Sequence, residues 1–397
     1  MRLLMLNNEF PPLGGGTGTV NQAMLRQFSQ IAGWEIDLIT SALGSVGAEE
    51  TFSERIRLYK VPVRNRNLHH SSNRELAEYA ARSFRLALRL QRKNSYHLCF
   101  AWSAVPAGAV ALALRRLLGL RYLVRVCGPD IPGFEQRYQA MHFLLGPLIR
   151  RVWREAETVV AKSQGEIDLI RAADRRIECE LIPNGVDLEQ FAPGQAVPEQ
   201  GALRLLCVAR LIERKGQHHL IEAVKRLADD GVDVTLELIG TGDARAANEA
   251  QAARLGLGGR VRFLGYVPRE EIPRHYAAAH VFVLPSYNEG MSVALLEALA
   301  SGLAVVVTPT GGTAELVQAE INGLVFDWAD VDRLTAHLRR LAADRALVRR
   351  MGEAARRRAG EFSWEQAARR YEEIIARLAL APARSMAGAA VAAKPKL

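Results

Sequence analysis

No two of the four cysteines in this 397-residue chain are spaced as a C-x-x-C pair. Cys99, Cys127, Cys179 and Cys207 lie far apart, which argues against a metal centre or a disulfide framework and for reduced, buried thiols. No apolar run approaches the roughly 20 residues that span a bilayer. The first run, Leu3 to Leu6, is broken by Asn7, Asn8 and Glu9 and is too short for the core of a signal peptide. A cytoplasmic protein is expected, peripheral on the inner membrane face if it touches a membrane at all. The phosphate loop G-x-x-x-x-G-K-[ST] is absent, and Gly14-Gly-Gly-Thr-Gly18 does not match G-x-G-x-x-G, so neither an ATPase nor a dehydrogenase is favoured. Nothing calls for a metal or a cofactor. The tail after Ala381 is built of small residues around Lys394-Pro-Lys and reads as disordered.

The length suggests two domains, and a composition of 49% hydrophobic and 24% charged residues suits a soluble globular protein. Short apolar strands alternate with helices throughout. In the first half they are residues 2–6, 35–40, 56–61, 97–101, 122–126 and 158–161; in the second, 203–209, 234–239, 261–263, 281–284, 304–307 and 324–326. Such alternation predicts an α/β fold of two Rossmann-like domains, with parallel sheets covered on both faces. The domains are read as 1–192 and 202–362, joined by the Pro- and Gly-bearing linker 193–201, with a closing helix over 363–380 that crosses back to the first domain.

Ligands of open parallel sheets bind beyond the carboxyl ends of the strands. The first strand there meets a glycine-rich loop, Phe10 to Gly18, in which Gly15 and Gly16 let backbone approach a diphosphate before a helix expected near Thr19. A second loop, Val208-Ala-Arg-Leu-Ile-Glu-Arg-Lys-Gly216, brings Arg210 and Lys215 to a strand end, where two cations could neutralise a departing diphosphate; Arg214 could instead be the second. His218 and His219 read as helix residues. The third is Glu289-Gly-Met-Ser-Val-Ala-Leu-Leu-Glu297, between a strand stopped by Pro285 and an apolar helix expected over Met291 to Ser301. The amides of Gly290, Met291 and Ser292 there can meet an anion, and two carboxylates about two turns apart could reach a sugar and a ribose. Two solvated carboxylates would give the same spacing.

Charge is uneven. Between Arg55 and Lys93 stand eleven Lys or Arg against Glu75 and Glu78, an excess of nine that equals the net charge of the whole chain. Arg82, Arg85, Arg89 and Arg92 recur at three- and four-residue steps, one helical stripe beside Phe84, Leu88 and Leu90. An anionic membrane surface or a phosphorylated acceptor suits that stripe better than nucleic acid, for which no recognition motif is present. A solvated helix face has the same composition.

Taken in order, Gly14-Gly-Gly16, Pro183-Asn-Gly-Val-Asp187, Arg210 with Lys215, Gly265-Tyr-Val267, the Glu289–Glu297 pair and Thr310-Gly-Gly-Thr-Ala-Glu315 resemble retaining glycosyltransferases of family 4, also called glycosyl transferases group 1, which have the GT-B fold. The resemblance covers nearly the whole chain. It implies two sheets facing a central cleft, with the acceptor on the first domain and a nucleoside diphosphate sugar on the second, UDP favoured over GDP. It implies that Glu289 contacts the donor sugar, Glu297 the ribose, Arg210 and Lys215 the diphosphate, and Val267 the base; the amides of Gly15, Gly16, Met291 and Ser292 add phosphate or sugar contacts. The partner would be a saccharide or lipid-linked acceptor in cell-envelope polysaccharide, lipopolysaccharide or glycolipid synthesis, and no metal is required. One departure stands out. Arg125-Val-Cys-Gly-Pro-Asp130 places Cys127 where many relatives have a histidine; cysteine is a poor hydrogen-bonding substitute, so the role passes to Asp130 or is absent. Asp130 could equally make only a local backbone bond. Two rivals are a GT-B epimerase or phosphorylase and a non-catalytic, sugar-nucleotide-binding paralogue at a membrane.

Overall fold

A computed structural model describes residues 1–65, 71–194 and 197–380. The tail from Ala381, Arg66 of the basic segment and residues 195–196 of the linker lie outside the described residues.

The N-terminal half carries β1 (Arg2–Leu6), β2 (Glu35–Ala42), β3 (Ala48–Ser53), β4 (Ile56–Pro62), β5 (Leu98–Trp102), β6 (Tyr122–Arg125), β7 (Val159–Ala161) and β8 (Cys179–Leu181). They form one sheet in the order β3-β4-β2-β1-β5-β6-β7-β8, in which β1 lies between β2 and β5 with Leu4 opposite Asp37 and Cys99. Between the strands run α1 (Gly16–Phe28), α2 (Asn73–Asn94), α3 (Ala109–Leu118), α4 (Gln139–Glu155) and α5 (Gln164–Ala173). The C-terminal half carries β9 (Leu203–Val208), β10 (Val234–Ile239), β11 (Val261–Gly265), β12 (Val281–Leu284), β13 (Ala304–Val307) and β14 (Gly323–Val325), ordered β11-β10-β9-β12-β13-β14 and parallel throughout. Its helices are α6 (Gln217–Asp229), α7 (Arg245–Arg254), α8 (Ile272–Ala278), α9 (Val293–Ala300), α10 (Thr313–Leu316), α11 (Val331–Ala343) and α12 (Arg345–Ala359).

Both sheets are covered on two faces, and three of their inner strands, Leu98–Trp102, Val281–Leu284 and Ala304–Val307, are apolar on every residue with no exposed position. One face of the N-terminal sheet packs on α2 to α5 through Tyr79, Ala87, Ile149 and Ile167. The opposite face packs on α1 and on a last helix, α13 (Trp364–Leu380), whose Trp364, Ala368, Tyr371 and Ile375 share a core with Leu3, Phe28 and Phe100. The end of the chain is thereby returned to the first domain, and Val186 pairs with Ser363 beside that crossing.

Four details differ from expectation. The N-terminal sheet is not wholly parallel, because β3 runs antiparallel to β4 at the edge; β8 is a further short strand. The first helix begins at Gly16 and not near Thr19, since Thr17, Gly18 and Thr19 already wind inside it and the Thr19 amide donates to Gly15 O at 3.2 Å. The later helix spans Val293–Ala300 and not Met291 to Ser301, because Ser292 is its cap, its Oγ accepting from the Leu295 amide at 3.2 Å. Of the four thiols only Cys99 and Cys207 are buried, while Cys127 and Cys179 are half-buried; all four are free.

Candidate active site

β9 and β12 are neighbours in the sheet, so the loops that leave their carboxyl ends meet. Lys215 ends a single 3-10 turn, Glu213–Lys215, and its Nζ donates to Oε1 of Glu289. Ser286 Oγ donates to the same oxygen at 2.8 Å. The two charged side chains are only 11% and 14% exposed. Burial alone would raise the Glu289 carboxyl, but Lys215, Ser286 and Arg214 together outweigh it and hold its pKa below the ordinary carboxylate value. Glu289 is therefore an ionised acceptor at neutral pH, held in a loop and not in the helix that follows it.

Glu297 lies on α9 and is 2% exposed. Its Oε1 is paired with the Arg269 guanidinium and its Oε2 accepts from the Tyr276 hydroxyl at 3.0 Å. Here burial wins over both partners, and the carboxyl is raised above its ordinary pKa. Arg269 also stands over the Phe191 ring, 5.3 Å from its centroid. A ribose that reached Glu297 would exchange hydroxyls for this guanidinium. Val267, two residues before Arg269, is half-buried on the same loop. Arg210 is half-buried beyond β9, and its carbonyl accepts from Gln217 Nε2 at 2.9 Å.

The first domain reaches these loops directly. Arg214 pairs with Glu135 at 3.3 Å, and Asn288 Nδ2 donates to the Phe134 carbonyl. Lys162 and Glu166 form a buried ion pair against Gly290, where a Cβ would stand 2.7 Å from Lys162 Cε. Asn184 bonds Met291 twice, from its amide to Sδ and from Nδ2 to the carbonyl, both at 3.2 Å, while its own Oδ1 accepts from Arg125. Gly312 packs on the same loop so closely that a Cβ would stand 2.7 Å from Met291 Cα, which explains a glycine pair in Thr310-Gly-Gly-Thr.

Residues 14–190 match the family model described as Glycosyltransferase Family 4, and residues 191–358 that of Glycosyl transferases group 1. The chain is 38% identical to the amylovoran biosynthesis glycosyltransferase AmsK of Erwinia amylovora, over 69% of this chain and 68% of that protein. It belongs to the family 4, group 1 glycosyltransferases. A second relative, the GDP-mannose-dependent alpha-(1-6)-phosphatidylinositol monomannoside mannosyltransferase of Mycolicibacterium smegmatis, is 28% identical over 94% of this chain and 98% of its own. Among solved structures, sucrose-phosphate synthase from Thermosynechococcus elongatus superposes with a TM-score of 0.84 at 23% identity, covering 95% of this chain and 99% of that one, and shares the fold. The two domains are those of a GT-B glycosyltransferase.

Within that fold, the loop that follows β6 is tightly bonded through Asp130. Asp130 is 5% exposed; its Oδ1 accepts from the Cys127 amide at 2.8 Å and its Oδ2 from the Ala104 amide. Burial raises its pKa against those two bonds. Burial likewise pushes the Cys127 thiol up to about 12, so it is no nucleophile or base at neutral pH. Gly15 caps α1, and its amide approaches Glu9 Oε2 at 3.4 Å, a carboxylate in the loop expected to receive phosphate. Among the described residues no group of three or more His, Cys, Asp or Glu is placed to hold a metal, and no helix is long and apolar enough to cross a membrane.

Sequence reasoning brought out Glu289, Lys215 and Glu297 but missed Ser286, Arg269 and Tyr276, which hold them, and the whole N-terminal contribution of Glu135, Lys162, Glu166 and Asn184. Only Asn184 carried a signal, as part of Pro183-Asn-Gly-Val-Asp187.

Proposed function

We propose that this glycosyltransferase moves a sugar from a nucleoside diphosphate donor to a hydroxyl of a cell-envelope saccharide or lipid-linked saccharide, with retention of anomeric configuration and without a metal. The observation that carries the reading is the ionised, buried Glu289 held by Lys215 at adjoining strand ends, one residue from backbone amides that can receive an anion. In this reading the Glu289 carboxylate accepts hydroxyls of the donor sugar, while the ammonium of Lys215 and the guanidinium of Arg210 stabilise the leaving diphosphate. The bond from the anomeric carbon to the phosphate oxygen breaks, the acceptor oxygen bonds that carbon on the same face, and the leaving phosphate takes the acceptor proton. Such a route needs no general-base side chain, consistent with an Asp130 carboxylate already engaged by two amides. Glu297 receives the ribose once Arg269 has swung aside, and Val267 borders the base.

One relative is an amylovoran biosynthesis glycosyltransferase and another a GDP-mannose-dependent phosphatidylinositol monomannoside mannosyltransferase, so GDP-mannose belongs beside UDP-sugars as donor. Incubation with that panel, reading free UDP or GDP with and without envelope saccharides, tests the reading. Acceptor-dependent release from one donor, with an α-anomeric proton conserved in the product by NMR, is expected. Release into an epimer or with inorganic phosphate alone would favour the other GT-B chemistries, and binding without turnover a non-catalytic protein. Glu289→Gln should nearly abolish transfer and leave calorimetric affinity for UDP or GDP largely intact; equal losses in both would refute the sugar assignment.

A further inference from the structure

Four aromatic rings gather beside the donor loops, and the chemistry above uses none of them. Tyr287 stands two residues before Glu289, Trp328 follows β14, and His218 and His219 lie in the first turn of α6. Ring centroids are 5.5 Å apart for Tyr287 and Trp328, 5.0 Å for His219 and Trp328, and 3.9 Å for the two histidines. The other tryptophans, Trp34, Trp102, Trp153 and Trp364, are buried in cores, whereas Trp328 is half-buried and Tyr287 is 51% exposed. Ala329, next to Trp328, has a φ of 64°, a left-handed conformation that costs a non-glycine residue.

Tyr287 stands at the seam between the two domains. The Tyr287 amide donates to Arg214 O at 2.7 Å, Arg214 reaches Glu135 of the first domain, and Asn288 reaches Phe134 O. Burial lowers both histidines below their ordinary pKa, so the cluster is neutral at pH 7. Its rim is acidic: Glu213, whose charge acts on His218, and Asp327, next to Trp328, are both exposed. Uncharged ring faces beside carboxylate acceptors repel anions and suit a neutral polyhydroxyl ligand, whose C–H faces lie on the rings while its hydroxyls donate to the acids.

We propose that Tyr287, Trp328 and His219 form a subsite for a neutral sugar ring of the acceptor saccharide, beyond the residue that receives the transferred sugar. The proposal rests on the glycosyl-transfer reading above. Its test uses the intact protein without donor and follows tryptophan emission during titration with mannotriose, maltotriose and galactotriose. At least one trisaccharide should change the emission saturably, and Trp328→Phe should remove that change, because the other four indoles are buried. Trp328 also covers the Gly216 turn that sets Lys215, where a Cβ would stand 2.7 Å from its Cζ3, so Tyr287→Ala serves as the second variant. It should weaken the trisaccharide about fivefold or more, roughly 1 kcal/mol, with calorimetric affinity for UDP and GDP held within about twofold. Unchanged emission with all three sugars, or equal loss of nucleotide and trisaccharide affinity in Tyr287→Ala, would overturn the subsite and leave the rings as support for the Lys215 turn. Failure of the transfer reading would look different, as absent nucleotide release from the donor panel with the emission change intact.

Discussion

Lys215→Met should destabilise the second domain more than any surface lysine replacement, and should reverse the pH dependence that Glu289 contributes. In the native pair the charges are nearly in contact; at an effective dielectric of about 20 and a separation of about 3 Å their attraction is on the order of 5 kcal/mol before desolvation is subtracted. Removing one partner of a buried pair leaves the other charged without compensation, a loss of about 3–5 kcal/mol. The sign with pH follows from the same geometry. The folded-state pKa of Glu289 is depressed, so its stabilisation is present above the unfolded carboxylate value and is lost as pH falls through the folded one. Burial is already the largest single influence on this carboxyl; without Lys215 only Ser286 and Arg214 oppose it, so the carboxyl should rise and the variant should lose stability as pH rises through the same range. Adding Glu289→Gln to Lys215→Met removes the stranded charge and should recover about 2 kcal/mol or more. Guanidinium unfolding of the wild type, both single variants and the double variant, repeated at acidic and neutral pH, measures the coupling. A coupling below about 0.5 kcal/mol, or parallel pH profiles, would mean that the pair is not formed in solution and that Ser286 alone orients Glu289.

Three further outcomes follow from the site and its surroundings. Arg210→Ala should lower turnover about a hundredfold, and the wild type should stay active in excess EDTA, because the proposed reaction stabilises its leaving group with fixed cations and not a metal; unchanged turnover or full loss on chelation, read as nucleotide release, would refute this. Glu297 is raised in the folded state, so it lowers stability once pH exceeds its unfolded value; Glu297→Gln should raise Tm at pH 7 and not at pH 4, while weakening nucleotide binding by calorimetry. The wild type should co-sediment with acidic vesicles and release as salt rises, and replacing Arg82, Arg85, Arg89 and Arg92 with Gln should reduce that binding, at about 1 kcal/mol per charge, and leave nucleotide affinity unchanged. All four are exposed on α2, and Arg82, Arg85 and Arg89 border a groove of about 410 Å³ beside Lys60, although Arg82 is partly neutralised by Glu78. Binding that persists in the four-fold variant would assign α2 a solvated role.

The strands were legible because a strand buried on both faces must be apolar at every residue, a pattern independent of its neighbours. Ala48–Ser53 breaks that rule for a physical reason: at the sheet edge it is exposed or half-buried throughout, so Glu49 and Glu50 carry no penalty. Cys179–Leu181 escaped notice at only three residues on the other edge, where its side chains are half-buried. In the site, Glu289 and Glu297 were legible because both lie in one segment, and Lys215 because its strand ends just before it. Arg269 and Tyr276 sit on another loop and helix and meet Glu297 only after β11 and β12 have been set in the sheet. Asp130 illustrates both cases: its bond from the Cys127 amide is the local one that the loop sequence allowed, whereas the Ala104 amide that engages its second oxygen is brought there by the fold.

The contacts across the domain seam bear on why the acid loop is glycine-rich. Gly290 admits the tips of the Lys162–Glu166 pair on one side and Gly312 on the other, so a side chain there would have to displace that ion pair. Glu289 is thus fixed from both halves of the chain: Lys215 and Ser286 hold its carboxylate from the second domain, and Lys162, Phe134 and Asn184 hold the flanking residues from the first. In the proposed transfer this carboxylate meets the donor sugar while an acceptor hydroxyl approaches from the opposite domain, and such placement has a reason, since a shift of about 1 Å at the reacting atoms can cost on the order of a hundredfold in rate. Neither half alone contains all the groups that fix Glu289 and its flanking residues.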